Sequence, residues 1–379
     1  MTQARNIMPT RAGLILMALV LVVGTFAMTG PRAALLMLVG LGFGLVLEGL
    51  RFGFAGPWRV LVTERDSRGL IAQFLAIGLT AVIAFPLLAA FPEELGGAHA
   101  PVGIAMIGGA FVFGIMMQLV MGCGSGTLVN AGSGNLIALV ALAGFVGGSF
   151  LGSLHLNWWT ELGSLPVYTL QGLFGDNAGL FVTILLLIVI AALALWRSAP
   201  GKRIPPARLW WAAALIAVLA VLNLVIAGQP WGVVYGLGLW GAKLAQAGGV
   251  DVAATAFWSL PTHAERLNQS LLTDVTSLTN IGLMAGAFLV MRWRRAPDAQ
   301  VAPISAASWG VVLIAGVLMG YSARIAFGCN VGAFFSGIST GSVHGWVWFI
   351  AAFAGSALGL KLRPKLLRPA PAAGRMVSA

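Results

Sequence analysis

Two stretches of the chain, FGIMMQLVMGCGSG (113–126) and MGYSARIAFGCNVG (319–332), align without gaps and contain the only two cysteines of its 379 residues. The alignment places Gly114 on Gly320, Gly122 on Gly328, Cys123 on Cys329, and Gly126 on Gly332. A fainter third copy, FGLVLEGLRFGFAG (43–56), has Gly53 in the cysteine position. We interpret the three stretches as copies of one motif, an apolar helix that ends in a glycine-rich break.

Composition assigns the chain to the integral membrane proteins. Hydrophobic residues make up 59% of it and charged residues only 9%, which is too little polar surface to coat a soluble globule. The net charge of +11 comes from short basic clusters between long apolar runs, a positive-inside pattern that argues against a nucleic-acid partner. These clusters lie at 59–68, 197–208, 292–295 and 361–368.

Ten apolar runs are long enough to cross a bilayer, for which a helix needs about 20 residues. They are predicted at 13–29, 33–50, 70–91, 102–121, 136–154, 178–196, 209–227, 279–291, 308–327 and 343–361. We therefore expect an all-α, polytopic helical bundle that forms a single integral membrane domain over 1–379. The first run follows a basic start, as a secretory signal does, but it lacks a clear A-x-A cleavage site, so we expect a retained helix.

Placing the basic clusters inside fixes the predicted orientation of the chain. Both termini, including a tail at 363–379, are then cytoplasmic, and the outside carries 91–100 and the stretch around Trp158, Trp159, Glu161 and Asp176. We expect the membrane to be the plasma membrane.

The same orientation gives the two cysteine motifs opposite directions. The helix before Cys123 runs inward and the helix before Cys329 runs outward, which is the signature of an inverted-topology repeat in transport proteins. We predict a first half at 33–196 and a second half at 209–362, related by a pseudo-twofold axis. The segment 230–249 is predicted to re-enter the membrane on one side, with a surface amphipathic helix as the alternative.

Small and polar residues follow each cysteine, at 124–135 and 330–344. They are either ordinary loops or short re-entrant helices, and matched glycines before both favour the second hypothesis. The start of a broken helix exposes N–H groups and the positive end of a dipole, which suits an anion. The two segments are therefore the predicted sides of a permeation path.

The isolated cysteines lack the C-x-x-C spacing of a zinc site or a dithiol redox pair. A lone buried cysteine is often only a small hydrophobe, but here both occupy one position of a repeat. In an apolar setting the thiol stays neutral, and a soft, weakly donating S–H can contact a sulfur-bearing anion without trapping it. We expect Cys123 and Cys329 to contact such a substrate.

Ionisable residues inside spans point to function because they are costly when unpaired. Arg324 stands where the first motif has Gln118, and it either attracts an anion or snorkels and pairs with a carboxylate. Glu48 and Arg51 are expected to form a structural ion pair. For His344 we favour a hydrogen bond at a helix start over a gate. Phosphate loops, catalytic triads and metal clusters are not evident.

The repeats resemble the YeeE/YedE family of bacterial inner-membrane proteins, which carry a sulfur-transport domain. The matching stretches are GFGLVLEGLRFGFAGPWRVLVTERD (42–66), IGGAFVFGIMMQLVMGCGSG (107–126), QPWGVVYGLGLWGAKL (229–244) and MGYSARIAFGCNVGAFFSGIS (319–339). The resemblance implies a helical bundle with short inserted helices and inverted halves. It also implies uptake of thiosulfate past cysteines in series, or a link to selenium metabolism, with a cytoplasmic sulfur-carrier or rhodanese-like partner.

The resemblance places two family cysteines at Cys123 and Cys329 and a third at Gly53, where this chain lacks it. The predicted substrate path comprises Cys123, Cys329, Gly122, Gly328, Asn330, Arg324 and Gln118. We predict an importer of a small sulfur-containing anion, with thiosulfate first, and no enzymatic activity, cofactor or metal. The alternatives are a carrier of selenium species or another oxyanion and, in another class, a membrane thiol oxidoreductase.

Overall fold

The computed structural model describes residues 10–294 and 305–367, and these residues are mostly helical, with no strand among them. The helices are α1 (Arg11–Thr29), α2 (Pro31–Gly49), α3 (Ala55–Glu64), α4 (Arg68–Ala90), α5 (Ile104–Leu119), α6 (Gly124–Gly132), α7 (Leu136–Leu154), α8 (Leu156–Glu161), α9 (Leu170–Phe174), α10 (Asp176–Arg197), α11 (Ala207–Ala227), α12 (Val234–Ala247), α13 (Pro261–Asn268), α14 (Val275–Trp293), α15 (Ala306–Ile325), α16 (Gly337–Ser339) and α17 (Val343–Leu366). A π-helical segment, Asn330–Ser336, leads directly into α16.

Ten helical stretches in the described part of the chain are long and apolar enough to cross a membrane, which confirms the ten predicted spans. Most ends differ from the predicted ones by a few residues; α14, for example, begins at Val275 where the apolar pattern placed 279. Two stretches, Ile104–Gly132 and Ala306–Ser339, extend well beyond the predicted 102–121 and 308–327 because they include the segment after each cysteine. Residues 1–9, 295–304 and 368–379 lie outside the described residues, and with them both termini and most of the predicted tail. The fold is a polytopic helical bundle.

Three pairs of long helices pack closely, and glycines lie at each crossing. In the pair α7 and α15, a Cβ added to Gly148 would overlap the carbonyl oxygen of Val317, and one added to Gly316 would overlap that of Ala141. The pairs α5 with α17 and α2 with α14 show the same overlap at Gly114 and at other glycines. Small residues let helix backbones approach each other, which is how helices associate where lipid removes the hydrophobic drive.

Helices from the early part of the sequence pack on helices from the late part, a crosswise pairing. The helix before the first cysteine, α5, packs on the helix after the second, α17, whereas α15 packs on α7. In the same way α2 packs on α14 and α4 packs on α11. By contrast, α1 and α10 lie at the periphery. Only 11% and 22% of the residues in their apolar stretches are buried. This exchange between early and late helices supports the two inverted halves, which stay a prediction.

The connecting segments collect at two opposite ends of the bundle. At one end Gly96 N–H donates to Gly228 O at 2.9 Å, and Leu170 N–H donates to Gly341 O at 2.7 Å. At the other end Lys202 Nζ lies 2.8 Å from a Glu64 carboxylate oxygen, and this ion pair joins the basic clusters at 59–68 and 197–208. We call these the loop end and the basic end; the placement of the basic end in the cytoplasm stays a prediction.

The segment 230–249 contains α12, which packs on α7, α14 and α15. Seven residues of its first nine positions are buried, and Gly238 and Gly241 lie against Arg324 and Val146. A helix buried to this extent within the bundle is not the surface amphipathic helix of the alternative hypothesis. Its burial supports a short helix inserted into the protein, with protein around it.

The glycine contacts lead to a first prediction. Gly148→Ala should lower the free energy of unfolding by about 1–3 kcal/mol, because the new methyl group overlaps Val317 of α15. Gly147→Ala is the matched control, since a Cβ at that adjacent position meets no atom within 4 Å. Thermal unfolding of the purified protein in detergent measures both. Equal midpoints for the two variants would show that the α7 and α15 crossing does not depend on this contact.

Candidate functional site

The three motif copies share one backbone structure. In each, a left-handed residue (Arg51, Met121 or Phe327, with φ of 54, 58 and 58°) follows the end of the helix. The next N–H then bonds back five residues: Phe52 to Leu47 O at 3.0 Å, Gly122 to Met117 O at 3.2 Å, and Gly328 to Ala323 O at 2.9 Å. This is the hydrogen bonding of a Schellman helix end. The aligned sequence motif is thus a repeated structural motif.

A new helical segment starts immediately after each cysteine. Cys123 is the N-cap of α6, and its Sγ accepts a hydrogen bond from Gly126 N–H at 3.4 Å. Cys329 precedes the π-helical segment, whose Ala333 N–H donates to Cys329 O at 2.9 Å. The predicted re-entrant segments are therefore buried helical turns rather than loops. Both cysteines are free and have no solvent-exposed surface.

Glycines before the cysteines hold each break tightly against the helix that follows. Gly328 has a φ of 154°, and a Cβ there would lie 2.6 Å from Ala333 N. A Cβ on Gly122 would lie 3.0 Å from Thr127 N. Each glycine thus permits a turn that a larger residue would force open.

The two breaks meet in the middle of the bundle. A Cβ on Gly124, the residue after Cys123, would lie 2.9 Å from the Sγ of Cys329 and 3.2 Å from the ring of Phe145. A side chain at position 124 would overlap the Cys329 thiol, so this position requires glycine. The two cysteines are 206 positions apart in the sequence, but Gly124, the residue after Cys123, packs against Cys329 in the structure.

A cavity of about 380 Å³ opens at the loop end and reaches the second break. We call it the loop-end cavity. Its lining includes Gly97, His99, Tyr235, Phe257, His263, Arg324, Phe327, Gly328, Gly332 and His344. Two of these glycines flank Cys329 in the motif, so the cavity ends beside the second thiol.

Arg324 is the buried cation of this cavity. Its guanidinium lies 5.2 Å from the ring centroid of Phe257 and 5.6 Å from that of Tyr235. Neither Nε nor Nη2 has a hydrogen-bond partner, and no carboxylate within the described residues forms an ion pair with it. Aromatic rings therefore contact the guanidinium where one of the two alternatives from the sequence expected snorkelling or a carboxylate partner. A buried guanidinium that lacks a carboxylate partner and lies beside a cavity is chemically suited to an anion.

Three histidines, His99, His263 and His344, line this cavity. The His263 ring stacks on Phe257 at 4.2 Å and its Nδ1 lies 3.0 Å from the Tyr235 hydroxyl. Burial lowers the pKa of His263, and the nearby charges of Arg324 and Arg266 lower it further, so the ring is mainly neutral near pH 7. His344 Nδ1 lies 2.7 Å from Ser342 Oγ at the start of α17, which agrees with the predicted helix-start hydrogen bond.

A second cavity, of about 330 Å³, lies at the first and third breaks and is here called the basic-end cavity. Its lining includes Glu48, Arg51, Gly53, Arg59, Gly122, Ser125, Gly126 and Asn130. A Cβ added to Gly53 would meet no atom within 4 Å, so the position of the missing family cysteine faces open space. This cavity reaches the first break as the loop-end cavity reaches the second.

The predicted ion pair of Glu48 and Arg51 is wrong. Both residues line the basic-end cavity, but no ion pair joins them in the part of the chain that the structure describes. The prediction assumed that the helix continues to Arg51. It ends at Gly49, and the left-handed backbone of Arg51 turns that side chain away from its helical position.

Neither cysteine lines the loop-end or the basic-end cavity, and both side chains are fully buried in the packed breaks. Buried polar atoms without partners are found at both breaks: Asn330 Oδ1 and Nδ2 after Cys329, and Thr127 Oγ1 after Cys123. Sequence reasoning missed Thr127, although its hydroxyl stands one turn after the cysteine. Such atoms are costly to bury, and a passing polar ligand would satisfy them.

Gln118 occupies the position equivalent to Arg324 but has a different environment. Its Nε2 donates to Ser356 Oγ at 2.7 Å and to Ala55 O at 3.3 Å. It lines neither of the two cavities at the breaks. The side chain therefore ties α5 to α17 and α3, which is a positioning role rather than direct contact with a path.

The described residues contain no cluster of three or more His, Cys, Asp or Glu side chains able to hold a metal ion. The arrangement has a buried cation, soft neutral thiols and unpaired amide and hydroxyl groups in series from one cavity toward the other. This chemistry suits an anion, and it is not the acid, base and nucleophile set of a hydrolytic site.

Comparison with known proteins agrees with this chemistry. The sequence model of the family described as Sulphur transport matches residues 50–358. The probable transporter YedE of Escherichia coli (strain K12) is 30% identical over 149 residues, 38% of this chain and 35% of the relative. The chain thus spans about a third of the length of the YedE relatives it matches.

Two further relatives align along most of their length. The thiosulfate transporter TsuA of Spirochaeta thermophila is 25% identical over 333 residues, 82% of this chain and 93% of the relative. TsuA of Escherichia coli (strain K12) is 25% identical over 350 residues, 84% of this chain and 91% of the relative.

Thiol labelling tests the closed site. Native protein should not react with a small charged methanethiosulfonate, whereas the denatured chain should react at both cysteines. Gly53→Cys should add one reactive thiol in the native state, because that position faces the basic-end cavity. Ala76→Cys, in the buried core, is the control that should stay unreactive. Mass spectrometry of intact protein counts the adducts. Rapid labelling of Cys123 or Cys329 in native wild-type protein would contradict the closed arrangement.

Proposed function

The chain belongs to the Sulphur transport family, and we propose that it imports thiosulfate through the path that contains Cys123 and Cys329. It is a multi-pass membrane transporter of a sulfur-containing anion and not an enzyme. The two TsuA relatives are named as thiosulfate transporters, and this supports thiosulfate as the first substrate to test.

One observation carries the proposal: the unpaired guanidinium of Arg324 faces the loop-end cavity next to the second cysteine break. A buried charge without a counterion costs several kcal/mol. An anion in the cavity removes this cost. The Tyr235 and Phe257 rings hold the cation in place without neutralising it, which leaves its charge for the substrate.

Thiosulfate offers two chemically different ends to the groups of the path. Its oxygens are hard acceptors that suit the Arg324 guanidinium and the Asn330 amide, whose Nδ2 lacks a partner. Its terminal sulfur is soft and matches the neutral thiols, which donate weakly and are polarisable. Weak contacts in series favour passage, whereas a second buried cation beside the cysteines would retain the ion.

Import proceeds, in this proposal, from the loop-end cavity past Cys329 and then Cys123 to the basic-end cavity. The breaks have to separate during passage because the cavities do not connect in this arrangement. Gly53 leaves the basic-end cavity without the third thiol that the YeeE/YedE resemblance implies. The anion then meets two thiols rather than three, with Ser125 and Thr127 near the first of them.

The inner membrane, with a cytoplasmic basic end, is the location we propose, and a sulfur-carrier or rhodanese-like protein is the partner we expect there. A selenium analogue of the substrate fits the same soft and hard contacts. The oxidoreductase alternative has no support in the site, where both thiols are free and fully buried.

Uptake of ³⁵S-labelled thiosulfate by cells that lack other thiosulfate importers tests the proposal. Cys123→Ala and Cys329→Ala should each reduce uptake at least tenfold, because each removes a soft contact of the path. Gly310→Ala on α15 is the control, since a methyl there meets no atom within 4 Å. Immunoblotting of membranes checks that the variants accumulate equally. Wild-type uptake at background level would refute thiosulfate import, and full uptake by both alanine variants would refute the thiol path alone.

Substitution of the buried cation tests the loop-end cavity separately. Arg324→Gln should raise the KM for thiosulfate by about 10- to 100-fold, the loss expected for a charge-assisted hydrogen bond. Removing an unpaired buried charge should leave the variant at least as stable as wild type, so unfolding would not explain the loss. Arg197→Gln, at the exposed basic end of α10, is the matched control. An unchanged KM in Arg324→Gln would exclude this arginine from substrate binding.

A further inference from the structure

A groove of about 580 Å³ lies on the outer face of the bundle, between α1, α2 and α14. Its walls are aliphatic and include Leu14, Leu19, Val22, Leu38, Leu45 and Leu289. Several of these side chains are about half exposed in the protein, such as Leu19 at 55% and Leu38 at 53%. Because α1 buries little of its surface against its neighbours, the groove stays open along membrane-spanning helices.

One end of this groove is cationic and aromatic. Trp293 and Arg294, at the end of α14, line it directly. The Arg11 guanidinium, at the start of α1, lies 5.0 Å from the Trp293 ring centroid. Arg294 Nη2 also donates to Gly49 O at the end of α2, which fixes its position. The carboxylate whose charge reaches Arg294 is that of Glu48, but Glu48 lines the basic-end cavity and not the groove.

We propose that this groove binds one acyl chain of an anionic phospholipid, with the lipid phosphate at Arg11 and Arg294. The aliphatic walls match the chain, and the cationic end lies at the basic end of the bundle, where the lipid headgroups would be. Basic pockets between spanning helices bind anionic headgroups, and tryptophan is enriched at this depth of a membrane. The charge at one end favours this occupant over a neutral lipid or a second copy of α1.

The bound lipid would fasten α1 to the core. Helix α1 contacts mainly α2, with fewer contacts to α14, and the groove separates much of its length from them. An acyl chain in the gap would contact all three helices, and its headgroup would link Arg11 of α1 to Arg294 of α14. Lipid binding should therefore stabilise the protein in detergent, because a ligand that binds only the folded state shifts unfolding.

Native mass spectrometry of the purified protein tests this site with phosphatidylglycerol and phosphatidylcholine of identical acyl chains. Wild-type protein should retain one phosphatidylglycerol in preference to phosphatidylcholine and unfold at a higher temperature with it. Each of Arg11→Gln and Arg294→Gln should weaken the preference about fivefold, as expected for one basic residue at an anionic surface. Arg197→Gln is the control, because this arginine also lies by a tryptophan, Trp196, but away from the groove.

A second variant separates the acyl chain from the headgroup. Ala18→Phe should fill the groove and abolish retention while both arginines remain. Inorganic phosphate is the probe for a free anion, and it should neither stabilise the protein nor displace the lipid. Equal retention of the two lipids, or equal behaviour of the Arg11, Arg294 and Arg197 variants, would overturn the proposal. Full competition by phosphate would assign a free-anion site instead, and a lipid-free dimer would assign the groove to a second copy.

Discussion

Backbone contact at glycines is the constraint on which the rest of the structure depends. Apolar side chains gain little free energy when they move from lipid into the protein interior. Helices in a membrane therefore associate through close packing of small residues. Gly144 and Gly148 of α7 meet α15 in this way, and Gly44 of α2 meets α14. The chain has 51 glycines in 379 residues. They therefore serve helix packing as well as turns.

The crosswise helix pairs also explain how the two breaks reach one place. The helix before each cysteine packs on a long helix that follows the other cysteine, and this arrangement brings the two breaks together. Gly124 then leaves the space that Cys329 occupies. The proposed path therefore lies between an early and a late segment of the chain, which the crosswise helix pairs place side by side.

The spans and the motif repeat were predictable because they rest on local signals. An apolar run of sufficient length predicts a helix, and matched glycines predict its end. The ion pair of Glu48 and Arg51 failed for a local reason as well, since the helix ended two residues before the arginine. The partners of Arg324 were not predictable, because Tyr235 and Phe257 come from distant segments that only the folded bundle brings to it.

The two copies of the motif show how one backbone can serve different chemistry at opposite ends. Their backbone hydrogen bonds at the helix ends are equivalent, so the chemical difference at this position comes from the side chains. Side chains in the equivalent position differ: Gln118 is satisfied by Ser356 and Ala55, whereas Arg324 keeps two nitrogens unpaired beside a cavity. In the first copy Gln118 links neighbouring helices through hydrogen bonds, and in the second copy Arg324 places a positive charge beside a cavity. Since only the second copy does so, a charge able to attract an anion from this position lies beside the loop-end cavity alone. The proposed direction of import depends on this difference between the copies.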